Sequence, residues 1–97
     1  MYYNKKGEQI DLERYVFLST HKEYRFIKQN VLKNEKWVST VWLGLDHSYD
    51  DGEPLIFETM VFPSDKNLMD LDMVRSSSEE EAIKNHNKMV KKWSKLT

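Results

Sequence analysis

At 97 residues the chain is long enough for one domain, 1–97, with a single modest core. Fifteen basic against 16 acidic residues leave a formal net charge of −1, which argues against nucleic acid held by a basic face, and the lack of cysteine excludes disulfides, thiolate zinc sites and cysteine nucleophiles. The aromatic fraction of 12% argues against disorder, no apolar run approaches the ~20 residues of a membrane span, and the opening lacks a signal-peptide stretch, so a cytoplasmic protein is expected.

Asn4-Lys5-Lys6-Gly7 is a turn signal between Tyr2-Tyr3 and Ile10, as a small hairpin or an ordered arm requires. Asp11 has the character of an N-cap, and Leu12, Tyr15, Val16 and Ser19 follow at helical spacing, which predicts a short helix over 11–20. The β-prone run Tyr15-Val16-Phe17-Leu18 allows a strand instead, and the helix is the preferred reading. Tyr24 to Leu32 alternates imperfectly, with Tyr24, Phe26 and Lys28 on one side and Arg25, Ile27 and Val31 on the other. It is read as a strand with one face partly wet. Lys33 to Lys36 is a turn, and Trp37 to Leu45 is the next strand. Bulk on both of its faces makes it the central one, and Gly44 within it marks a bulge or a close backbone approach.

Asp46 to Pro54 is an acidic loop, with Asp50-Asp51-Gly52 as its turn signal. Leu55 to Phe62 is the third strand, on which Phe57, Thr59 and Val61 face one way and Glu58, Met60 and Phe62 the other. Residues 63–77 read as an irregular connection that has room for a fourth short strand near 71–75. Ser78 with Glu81 is a capping box that opens the last helix. Its three glutamates lie at the positive end and its lysines at the negative end, as the macrodipole favours. Ala82, His86, Met89, Val90 and Trp93 form one stripe at helical spacing, which should pack on the sheet. The expected fold is α+β: a three- to four-stranded, mostly antiparallel sheet, the C-terminal helix packed on one face, and a short N-terminal helix.

The candidate binding residues are Asp46, His47, Tyr49, Asp50 and Asp51 in the loop, with Glu58 and His86. Asp46-His47 at a strand end, Glu58 on the partner strand and His86 on the helix stripe include the residue types of a His/His/carboxylate site for zinc or iron. Their spacing matches no standard metal motif, and local hydrogen bonding within the loop explains Asp46 and His47 as well. Glu58 requires a partner if buried, and Arg25, Arg75 and His47 are the candidates. The carboxylates of the loop lack the EF-hand spacing. With three glycines there is no phosphate loop and no nucleophile elbow, and the threonines fall mid-strand, where hydroxyls pair across a sheet. No catalytic residue, metal or cofactor is therefore assigned, and an enzyme is the less favoured reading. Lys5, Lys6, Lys22 and Arg25 with Tyr2, Tyr3 and Tyr24 can form a basic, aromatic surface, but equal acid elsewhere weighs against nucleic acid. Three tryptophans are many for a small core, and an exposed one is most simply covered in a homodimer.

The block Ser39 to His47 (STVWLGLDH), the block Pro54 to Phe62 (PLIFETMVF) and Glu80-Glu81-Ala82 with His86 together resemble a group of small proteins of unknown function encoded mainly by bacteriophages and prophages. The opening Tyr2 to Gly7 is similar too, so the resemblance covers most of the chain. Where that group often has Arg-Tyr before the last helix, this chain has Arg75-Ser76. The resemblance brings no catalytic residues. It implies a phage setting, in which small proteins bind a host protein or a small defence signal in the host cytoplasm; many large aromatics with no catalytic template then make a non-enzymatic inhibitor or sequestering protein the expected function, with Asp46 to Pro54 and the adjoining strand ends as its contact surface. The alternative from the residues is a small-ligand or metal-binding protein, with hydrolytic chemistry open to it, that uses His47, Glu58 and His86.

Overall fold

The structure, a computed structural model, describes residues 1–46 and 52–95. The candidates His47, Tyr49, Asp50 and Asp51 lie outside the described residues.

The chain opens with a hairpin of β1 (Tyr2–Tyr3) and β2 (Gln9–Ile10). Gly7 sits in its turn at φ +81°, where a side chain would be strained. Helix α1 (Leu12–Ser19) follows, with Asp11 Oδ1 accepting the Arg14 amide at 2.8 Å as an N-cap does. The strand reading of Tyr15 to Leu18 is thus overturned. Leu18 turns inward and Tyr15 stacks on Tyr2, while Leu12, Val16 and Phe17 remain exposed.

The single turn α2 (Lys22–Arg25) replaces the start of the strand expected from Tyr24. The cause is tertiary: in a helical turn the Tyr24 ring packs edge-on against Trp42 at 4.9 Å, and its hydroxyl accepts the Lys5 amide. Four antiparallel strands then form the sheet in the order β3-β4-β5-β6: β3 (Phe26–Val31), β4 (Trp37–Trp42), β5 (Phe57–Phe62) and β6 (Asp72–Ser76). A bulge at Ile27 shifts the β3 register between Phe26 and Lys28, so the expected alternation of β3 does not hold. Lys28 and Asn30 bond to the C-terminal helix, whereas Gln29 bonds to Trp37 on the opposite face. β4 stops at Trp42 because the chain turns at Gly44, at φ +77°. A Cβ there would lie 2.6 Å from the Trp42 ring, which is the close approach anticipated for this glycine.

Helix α3 (Glu79–Ser94) starts on Ser78, whose Oγ accepts the Glu81 amide, and packs on all four strands. Beneath it the buried apolar groups fall in two places. Leu18, Trp42, Ile56, Phe57 and Ala82 form a cluster at the end of the sheet that the hairpin, α1 and α2 close off. Val38 and Val61, also fully buried, pair further along. Between them lie the polar residues Thr40, Thr59 and His86.

Candidate functional site

His86 is fully buried on the inner face of α3 and holds a chain of hydrogen bonds through the sheet. Its Nε2 is 2.7 Å from Asn30 Oδ1, and its Nδ1 is 2.7 Å from Thr40 Oγ1. Facing a carbonyl oxygen, Nε2 carries the proton and donates, so Nδ1 accepts from the Thr40 hydroxyl. Thr40 has then spent its one proton, and Thr59 Oγ1, 2.7 Å away, donates to it. In this arrangement the imidazole is neutral. Burial, and then the ammonium of Lys28, push the His86 pKa down to about 4. Such a group is a structural histidine: every lone pair and proton of the ring is already used inside the protein.

Glu58 stands on the other side of the sheet. Strand alternation puts it with Met60 and Phe62, opposite Thr59, and its Oε2 accepts Arg75 Nε at 3.1 Å across the β5–β6 pair. His86 and Glu58 therefore do not converge, and the His/Glu/His cluster expected of the ligand or metal reading is not formed by them. No group of three or more histidines, aspartates and glutamates is placed to hold a metal ion among the described residues. Asp46 shapes the loop base, with Oδ1 accepting the Leu55 amide at 2.9 Å. Glu53 accepts the Ser77 hydroxyl and so ties the far end of the loop to the approach of α3. The aromatic groups suggested for nucleic acid are engaged within the fold: Tyr2 stacks on Tyr15, and Tyr24 lies between Trp42 and the Lys5 ammonium.

The face of the sheet turned away from α3 has no helix laid along it among the described residues. Trp37 and Phe62 meet there at 5.1 Å between ring centroids, beside Met60, Val41 and Met73, with the Glu58–Arg75 pair at its β5–β6 side. Trp37 is half-buried rather than free, because its indole N–H donates to Gln29 Oε1 at 2.9 Å. Of the other tryptophans, Trp42 is in the core, and Trp93 is half-buried with its indole N–H on Asp72. At the edge of this open face Val31 is 70% exposed and Met73 39%.

Among known proteins, no family profile, no curated protein and no solved structure matches this chain. No described helix is long and apolar enough to cross a membrane.

Proposed function

We propose that this chain is a non-enzymatic binding protein of phage type, which inhibits or sequesters a host protein of the defence machinery in the host cytoplasm. The open face of the sheet is its contact surface, and Trp37, Met60, Phe62 and Met73 are the anchors. The observation that supports this reading is that face: an apolar layer of aromatic and methionine side chains with its charges already paired. Rigid aromatic groups beside adaptable methionines suit a protein surface, and a paired Glu58–Arg75 brings no unmatched charge into an interface. The phage context comes from the resemblance of the two central sequence blocks.

The test is capture from host lysate with three forms of the protein: wild type, a Met60→Asp/Met73→Asp variant, and a Val16→Asp/Phe17→Asp variant that alters the exposed side of α1 instead. A stoichiometric protein partner kept by wild type and the α1 variant, and lost by the sheet variant, is the expected result. Loss through the α1 variant alone overturns the assignment of the face. A stable dimer by sedimentation, abolished by the sheet variant and accompanied by no partner, shows that a second copy covers this face and overturns the reading.

A further inference from the structure

A cleft of about 270 Å³ opens where α1 and α2 meet the end of β4, between Tyr15, Ser19, Arg25, Phe26, Val41 and Trp42. No member of the His86 chain lines it, and it meets the open face at Val41, the cross-strand partner of Glu58. One of its walls carries an anomaly. Arg25 Nε is buried and has no hydrogen-bond partner, the one such side-chain nitrogen or oxygen among the described residues. A buried donor left unpaired is costly, and folded proteins hold few of them.

We propose that this cleft is a binding site for a small anion carried on a ring, a carboxylate or a phosphoryl group, with Arg25 as its ion partner. Three observations on separate groups agree. Among the described residues no carboxylate lines the cleft, and Glu58, opposite Val41 on the sheet, is held by Arg75. The guanidinium lies over Phe26, its Cζ 5.4 Å from the ring centroid, in a cation–π contact. Nε itself is buried beyond a ligand's reach, so the two Nη–H donors at the end of the guanidinium are the ones that match two oxygens of a carboxylate or phosphate. The rest of the wall is aromatic and aliphatic, from Tyr15, Phe26, Val41 and Trp42, which favours a ring over a bare ion. The volume falls just below the ~300–1,000 Å³ of pockets for drug-sized ligands, so the occupant is one charged group on one ring. This site stands independently of the protein-docking proposal.

The test is a solution NMR titration of the full chain at constant ionic strength with benzoate, phenyl phosphate and inorganic phosphate as separate probes. Saturable shifts of the Trp42 indole N–H and the Ser19 amide with benzoate or phenyl phosphate are expected. The probe that binds tells a carboxylate site from a phosphoryl site. Inorganic phosphate should bind about tenfold more weakly or not at all, and equal binding overturns the role of the ring. Arg25→Gln should weaken binding about tenfold or more, as loss of a charge-assisted pair does, and Arg25→Lys should weaken it as well, because the charge is kept but the fork is lost. Ser19→Phe fills the cleft while leaving Arg25 in place and should abolish binding while the melting temperature holds; it also decides the matter if Arg25→Gln fails to fold. Absence of saturable shifts with all three probes, or unchanged affinity in folded Arg25→Gln or Ser19→Phe protein, overturns the proposal.

Discussion

Lowering the pH from about 7.5 to about 4.5 should remove about 2.5 kcal/mol of folding stability through His86 alone. In the unfolded chain the imidazole titrates near its ordinary 6.5, and in the folded protein near 4. Between those values the unfolded state binds a proton that the folded state refuses, so stability rises with pH across the window. The contribution is complete above 6.5 and is lost as the pH falls from there toward 4. A proton on Nδ1 displaces the Thr40 hydroxyl as donor and places a charge in a fully buried site near Lys28. At about 1.4 kcal/mol per pKa unit the whole effect is about 3.4 kcal/mol, of which about 2.5 falls in the stated pH range. Urea unfolding at stepped pH and fixed ionic strength measures it, provided the m-value is constant. His86→Gln supplies the control. Glutamine retains a donor and an acceptor, loses about 1–3 kcal/mol at neutral pH through imperfect bonds and packing, and cannot take up the proton. Carboxylates common to both proteins cancel in the difference. Parallel stability curves for wild type and His86→Gln would refute the argument and mean that the buried imidazole is not what resists protonation.

Gly44→Ala should cost about 3 kcal/mol in the same urea assay, because the position has φ +77° and a Cβ would meet both the Trp42 and Tyr15 rings. Ser78→Ala should cost about 1 kcal/mol and be read as a lower midpoint at unchanged m-value, since it removes the acceptor of the Glu81 amide at the head of α3. Glu58→Gln should lower stability by about 1–3 kcal/mol in the same assay, because the Glu58 side chain is 12% exposed and its bond from Arg75 loses its charge; a loss below about 0.5 kcal/mol would mean that the pair behaves as a solvent-screened surface one. Asp72 has its pKa held below the ordinary 3.8, first by the hydrogen bond from Lys92 and against the opposing effect of burial. Its stabilisation is therefore present above 3.8 and lost as the pH falls below it, and acid titration of Asp72→Asn should lack that low-pH component.

Local chemistry was legible where it acts within one segment. The Ser78 cap, the helical stripe of α3, the Asp11 cap and the turn at Gly7 all depend on neighbours a few residues away, and all are found. α2 was not legible, because Tyr24-Arg25 runs straight into the β-prone Phe26-Ile27 of β3, and the helical turn ends there with Tyr24 packed on Trp42. The relation of Glu58 to His86 fails for a different reason. Alternation on β5 separates Glu58 from Thr59, yet it does not say which side α3 will cover. The neighbouring β4 carries bulk on both faces, Val38 and Trp42 against Trp37 and Val41, so either side was plausible as the core. The unpaired Arg25 Nε has no signal in the sequence at all, since it arises from α1, α2 and the strand end meeting in space.

The hydroxyl–imidazole–amide chain also divides the layer beneath α3 into two apolar compartments. An apolar stripe on an apolar sheet has many sliding positions of similar energy, because greasy contacts are non-directional. A polar seam has one. Displacing α3 by a single turn, about 5.4 Å, would carry the imidazole away from Asn30 and Thr40 and set it against valine or aromatic surface. Each polar group stranded without water or partner would cost about 1–3 kcal/mol. His86 thus acts as a registration mark between helix and sheet: the apolar compartments hold the two layers together, and the seam chooses where along each other they stop.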